Sequence, residues 1–252
     1  MKIPPLILTL SLSTCLCQGA FVLVDDMENG NNWGAGSQGS IVADPTNASN
    51  NVYLIDTSPV SSGNVTAAFH SITSIDNNTT GTLFFRIRSD AAAPNFVWGS
   101  SDVASPNVTG NFNSFGDYEG YGRIADADYG FQLRDGGGFT GDLENGAADT
   151  WYNVWLELDN TNDTTTLYVT TGSDDATSAI GSGAFRNGTT SGLVTLLVVN
   201  AHGGGNDYID DIYIDTTGQN LTNPTTIPEP RSYALLIGLL GTCVLLLRRS
   251  RI

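Results

Sequence analysis

Trp151-Tyr152-Asn153-Val154-Trp155-Leu156-Glu157-Leu158-Asp159, a turn at Asn160-Thr161-Asn162-Asp163, and Thr166-Leu167-Tyr168-Val169-Thr170 read together as a β-hairpin. Runs of apolar, aromatic and β-branched residues flank a polar turn of Asn, Thr and Asp. The same punctuation recurs along the chain. It predicts strands at Phe21 to Asp25, Val52 to Ile55, Val65 to Ile72, Thr82 to Arg88, Asn95 to Trp98 and Tyr129 to Arg134, then at Trp151 to Leu158, Thr165 to Thr170, Leu193 to Val199 and Tyr208 to Ile214. No internal helix is predicted. Leu83, Phe85 and Ile87 fall on one face of their strand, and Phe84, Arg86 and Arg88 on the other. Half-buried strands of this kind pack as two sheets, so the expected fold class is all-β, a two-sheet β-sandwich or jelly roll.

The chain has 252 residues, and both ends read as targeting segments, which leaves roughly 200 residues for one all-β domain. Asp and Glu outnumber Lys and Arg by 26 to 10. Between Phe21 and Ile227 the only basic residues apart from His are Arg86, Arg88, Arg123, Arg134 and Arg186, so the folding segment is strongly acidic. That balance disfavours nucleic acid and anionic membrane as partners and makes divalent cations the natural counterions. Cys15, Cys17 and Cys243 all fall in the terminal segments, so the domain has no disulfide available.

Residues 1–20 carry one Lys, an apolar stretch from Ile3 to Leu12, and the small residues Cys17 and Gly19 where a cleavage site would be; this is a secretory leader. At the other end, Pro228-Glu229-Pro230 precedes an apolar run of about fifteen residues from Tyr233 to Leu247, closed by Arg248, Arg249 and Arg251. As a helix the run spans roughly 22 Å, a short transmembrane segment whose arginines stay cytoplasmic. These residues resemble the PEP-CTERM sorting signal of exported Gram-negative proteins. The resemblance implies recognition of Pro228, Glu229 and Pro230 by an exosortase, a membrane-embedded protease. It further implies an inner-membrane intermediate, removal of the tail, and delivery to the cell surface or extracellular matrix. A permanent anchor is the alternative. The expected organisation is signal peptide 1–20, β-sandwich 21–216, linker 217–227 and sorting signal 228–252.

The hairpin at 151–170 resembles the central hairpin of concanavalin-like and laminin-G-like jelly rolls. Val24-Asp25-Asp26-Met27-Glu28 and Tyr208-Ile-Asp-Asp-Ile-Tyr-Ile-Asp215 resemble the first and last strands of carbohydrate-binding jelly rolls. In such folds those strands are often neighbours, which would bring Asp26 and Glu28 to Asp210 and Asp211. Hard oxygen ligands there would suit a structural Ca²⁺, and the alternative is four strand-end carboxylates facing water.

No catalytic set is recognisable. Glu157 and Asp159 share a strand face, but no further Glu follows to complete the acid and nucleophile pair of a retaining glycosidase. His202-Gly203-Gly204-Gly205 resembles an esterase oxyanion loop, yet the chain has no G-x-S-x-G elbow. His70 and His202 are the only histidines, too few for zinc chemistry in a domain without Cys. Trp98, Tyr118, Tyr121 and Tyr129 lie around Gly-rich stretches and offer rings for stacking on sugars, against the alternative that they fill the core. The expectation is an exported noncatalytic surface or matrix protein that binds extracellular polysaccharide. The alternative is a secreted glycan-active hydrolase or lyase on the same fold.

Overall fold

The computed structural model describes residues 20–55, 65–201 and 205–226. The leader, Pro228-Glu229-Pro230, the apolar run, Arg248, Arg249, Arg251 and His202 lie outside the described residues, within which no helix is long and apolar enough to cross a membrane. Fifteen strands and two 3₁₀ turns make up the described chain. They are β1 (Val22–Asp25), β2 (Ser40–Asp44), β3 (Asn47–Ile55), β4 (Thr66–Ile75), β5 (Thr80–Ser89), β6 (Asn95–Ser101), β7 (Tyr121–Ala125) and β8 (Gly130–Asp135). There follow β9 (Gly138–Phe139), β10 (Glu144–Asn145), β11 (Tyr152–Asp159), β12 (Thr164–Thr170), β13 (Gly181–Ala184), β14 (Leu193–Asn200) and β15 (Asp207–Asp215). All ten expected strands are present. The expectation missed β2, β7, β9, β10 and β13, which are short or rich in Gly, Ser and Ala and so carry weak apolar patterning.

Every pairing is antiparallel, and the strands form two sheets. The larger sheet runs β13-β12-β11-β5-β15-β3-β2, with β1 also on β15; the smaller runs β10-β8-β7-β6-β14-β4, with β9 on β8. The hairpin that opened the reading closes in register from Asp159↔Thr164 to Asn153↔Thr170. Asp159 holds its turn by accepting hydrogen bonds from the Thr161 and Asn162 amides. Alternation then sorts the faces: Leu83, Phe85 and Ile87 enter the inter-sheet core with Val154, Leu156 and Leu158, and from the other sheet come Phe96, Trp98, Ile124, Phe131 and Leu133.

Each sheet's outer face is covered over part of its length. On the smaller sheet, Phe69, Val97, Tyr121 and Leu197 receive Val108, Phe112 and Tyr118 from the 102–119 connection. On the larger sheet, Phe84, Trp155, Tyr168 and Tyr213 are capped by Phe21 and Leu221. Leu221 belongs to the stretch expected as a linker. Gly218 O accepts a hydrogen bond from Thr82 Oγ1, Thr222 O accepts one from Trp155 Nε1, and Asn223 N donates to Asp175. Residues 217–225 are therefore part of the folded domain, because they shield an aromatic strip that the strands alone leave wet.

Trp98 is wholly buried between the sheets, its ring 5.6 Å from Phe85 at a steep angle. Trp98→Ala is expected to cost about 3–5 kcal/mol of unfolding free energy through lost transfer energy and a residual cavity, measured by chemical denaturation of the full chain.

Candidate functional site

The first and last strands pair as expected, Val22↔Ile214 through Asp25↔Ile212. The last strand carries a bulge: opposite β5 the register moves from Asp210↔Arg86 to Tyr213↔Phe84, so β15 holds one extra residue. Asp211 takes it up at φ 52°, a left-handed conformation that Asp tolerates better than most residues. Arg86 Nη1 then lies 3.1 Å from Asp211 Oδ2 and 3.8 Å from Asp210 Oδ2. Asn50 Nδ2 and the Asp211 amide both donate to Asp210, while Glu28 accepts from the Asn51 amide and side chain. The structure thus brings Asp210 and Asp211 onto a guanidinium; burial raises the Asp211 pKa, Arg86 opposes the rise, and the Asp26 and Glu28 charges add to it. A Ca²⁺ ion expected among these four carboxylates would compete with Arg86 for two of them. Among the described residues no group of three His, Cys, Asp or Glu side chains is arranged to hold a metal.

The four aromatics expected to stack on sugars are buried: Trp98, Tyr118, Tyr121 and Tyr129. Tyr118 stacks on Tyr121 with centroids 4.5 Å apart and donates its hydroxyl to Leu197 O. Tyr129 donates to Ala91 O. The expectation of these rings as ligand platforms is corrected, since each gains more by covering apolar surface than by facing water. Glu157 accepts hydrogen bonds from Tyr168 Oη and Gln219 Nε2, and Asp159 caps its turn, so neither is presented to a substrate.

What the outer face of the smaller sheet does present, beyond its covered half, is a cluster of arginines. The strand alternation that sends Ile124, Phe131 and Leu133 inward sends Arg123, Gln132 and Arg134 outward. Register sets Arg123 beside Gln132. The Arg123 Nε and Nη2 atoms donate to Gln132 Oε1 at 2.8 and 2.6 Å, and Nη1 donates to Asn95 Oδ1 at 3.1 Å. Gln132 Nε2 donates in turn to Asp142 at 2.7 Å. The guanidinium carbons of Arg123 and Arg134 lie 4.0 and 5.4 Å from the centroid of the Phe139 ring, a cation–π arrangement that fixes both. At the border of the covered half, Arg186 Nη1 donates to Tyr121 Oη at 3.0 Å.

The five arginines of the domain fall into two classes. Arg86 and Arg88, on the larger sheet, are ion-paired with Asp211 and Asp149. Among the described residues Arg123, Arg134 and Arg186 make no ion pair within 4.0 Å; amide, carbonyl and phenol oxygens hold them. Burial lowers the Arg123 pKa, nearby Asp126 and Asp142 work against that fall, and Arg134 repels. An arginine is still protonated at neutral pH. Arg134, Arg186 and Phe139 are half-buried, with one protein hydrogen bond to each guanidinium, so most of the N–H groups of Arg134 and Arg186 have no protein acceptor among the described residues. The sequence reading counted these arginines without assigning them a site. The available signal was the alternation of Phe131-Gln132-Leu133-Arg134, which puts amide and guanidinium on one face.

Three further features stand out. Glu119 is 4% exposed, its Oε2 has no hydrogen-bond partner among the described residues, and burial together with the Asp102 charge pushes its pKa up to about 7. An open groove of about 570 Å³ lies along the β12 edge between Glu144, Tyr152, Thr170, Asp174 and Asp175. His70 Nε2 sits 3.0 Å from Asp25 Oδ2, bolting β4 to β1 across the sandwich. Burial opposes charge on Asp25, but hydrogen bonds from His70 and the Met27 amide hold its pKa below the usual carboxylate value.

No family model and no curated protein sequence matches the chain. Solved structures do. An endo-β-1,4-glucuronan lyase from the fungus Trichoderma reesei overlays with TM-score 0.52 at 12% identity, over 82% of this chain and 99% of that one. A winged bean acidic lectin complexed with methyl-α-D-galactose gives 0.51 at 11% identity, over 81% and 100%. A sialidase gives 0.51 at 10% identity over 78% of this chain, which spans 18% of that protein's length. At these identities the likeness establishes the fold, a lectin-like jelly roll, and nothing about the site.

Asp210 is fully buried, and burial followed by the Asp211 charge pushes its pKa up to about 8. The folded state therefore holds a proton that the unfolded chain releases near pH 4, so stability from this group is complete below about pH 4 and is lost as pH rises toward 8. Asp210→Asn is expected to flatten that slope, read as unfolding free energy against pH between about 4 and 9.

Proposed function

We propose that this chain is an exported, noncatalytic surface or matrix protein whose jelly-roll domain binds glycan on the β7–β8–β9 face. The observation that carries the reading is the platform of Arg123, Gln132, Arg134 and Phe139, where fixed planar donors and a ring edge stand on a rigid sheet. Sugar hydroxyls are recognised by such planar, pre-oriented groups, because little side-chain entropy remains to be lost on binding. The occurrence of the same fold in a galactoside-complexed lectin and in a glucuronan lyase supports a glycan ligand by analogy of fold alone.

The leader at 1–20 and the tail at 228–252 complete the proposal: secretion, transient residence in the inner membrane, and exosortase processing at Pro228-Glu229-Pro230 with Arg248, Arg249 and Arg251 as the cytoplasmic stop. A glycan-active hydrolase or lyase is the second reading, and Glu119 favours it, since a carboxyl titrating at about 7 is tuned for proton transfer. Against it, that carboxyl is 4% exposed, buried away from any substrate.

Two measurements test the proposal. Mass spectrometry of the surface-released protein is expected to find a chain beginning near Phe21 and ending near Pro228; recovery of Ile252 in that fraction would sink the sorting claim. Incubation with a polysaccharide panel is expected to give retention without new reducing ends or unsaturated products. Turnover abolished by Glu119→Gln with the fold intact would establish the enzyme instead.

A further inference from the structure

Resting on the glycan-binding reading, we infer that the β7–β8–β9 face takes an anionic polysaccharide, one whose sugars carry carboxylates, through the guanidinium groups of Arg123, Arg134 and Arg186. The argument begins with charge. In a chain with 26 acidic side chains and 10 Lys and Arg, a carboxylate partner is available to nearly any arginine, and Arg86 and Arg88 each have one. Arg123, Arg134 and Arg186 are gathered on one face and are bonded to neutral oxygens. Three like charges brought together in this way repel one another, a cost that an external anion relieves.

Geometry sets the class of anion. Arg123 and Arg134 share the Phe139 ring, the Arg134 charge acts on Arg123, and Arg186 is tied to Tyr121, the residue two positions before Arg123 on the same strand face and itself under the Arg134 guanidinium. Planar guanidinium groups match the two oxygens of a carboxylate with paired N–H donors. Asp142 and Asp126 lie at the rim of the same cluster, where they accept hydroxyl hydrogens and repel dense negative charge. Guanidinium at the centre with carboxylate at the rim fits a polymer of hydroxylated sugars bearing spaced carboxylates better than a phosphate chain. The formal charge of −16 sharpens the requirement, because the protein as a whole repels polyanions and only a local cationic site can retain one.

The test uses the full-length chain in detergent, immobilised, with chelator present so that no divalent cation bridges two acidic partners. The probes are polygalacturonate, neutral dextran and single-stranded DNA. Polygalacturonate is expected to bind at about 50 mM salt and to be released at about 500 mM. Arg134→Gln and Arg186→Gln are each expected to weaken it about tenfold, while Arg134→Lys, which keeps the charge and loses the planar fork, weakens it less. Polygalacturonate binding untouched by either glutamine variant would overturn the assignment of this face. Retention of dextran but not polygalacturonate would overturn the anionic class while leaving the glycan reading intact, and retention of neither would remove both. Equal retention of DNA would reduce the site to unspecific charge and overturn the sugar carboxylate. Should a glutamine variant fail to fold, the salt release and the DNA comparison on the unaltered chain decide the question.

Discussion

The last strand has to serve two masters at the centre of the larger sheet, and the bulge at Asp210 and Asp211 is the device that lets it. Ile209 and Ile212 are three residues apart and would face opposite sides of a regular strand, yet both are buried in the inter-sheet core with Ile214. One inserted residue at Asp211 resets the alternation. The same insertion leaves two carboxylates side by side next to Arg86, and the guanidinium offsets a charge that burial would otherwise make costly. Because β15 pairs with β3 before the bulge, with β1 after it and with β5 on both sides, this irregularity sits where three neighbouring strands meet the last one.

Around that centre the sandwich hides its large rings and exposes its polar planes. Trp98, Trp155, Tyr53, Tyr118 and Tyr121 are all fully buried or nearly so, some between the sheets and some under returning connections. Each aromatic ring carries more apolar area than an aliphatic side chain, and with no disulfide in the domain these rings are drawn into the fold. What stands at the surface for recognition is the guanidinium pair on β7 and β8, held from beneath by the buried Gln132 amide. Its rigidity comes from Phe139 and from register, so a ligand meets groups already in place.

Much of this was legible in the residues. Strict alternation in Leu83 to Arg88 and the turn at Asn160 to Asp163 gave strand, hairpin and face, and the two-sheet class followed from their number. Val24-Asp25-Asp26 and Tyr208 to Asp215 were correctly read as neighbouring strands. The weak strands β2, β7, β9, β10 and β13 escaped because their identity depends on the partner strand and not on their own composition. Residues 217–225 escaped for a related reason: polar Thr, Gly and Asn read as linker, while their place in the fold is fixed by an aromatic strip contributed from β5, β11, β12 and β15.

By itself the sequence determined the all-β class, the paired hairpin and the acidic balance, since each of these is a local property of neighbouring residues. Tertiary structure alone decided which aromatics lie under a covering loop, which arginines find a carboxylate and which do not. Those outcomes depend on segments far apart in the chain: Tyr118 is buried against Leu197, Arg86 is neutralised by Asp211, and Arg186 meets Tyr121. Burial and ion pairing are properties of the assembled surface, and no single segment carries them before the sheets have closed.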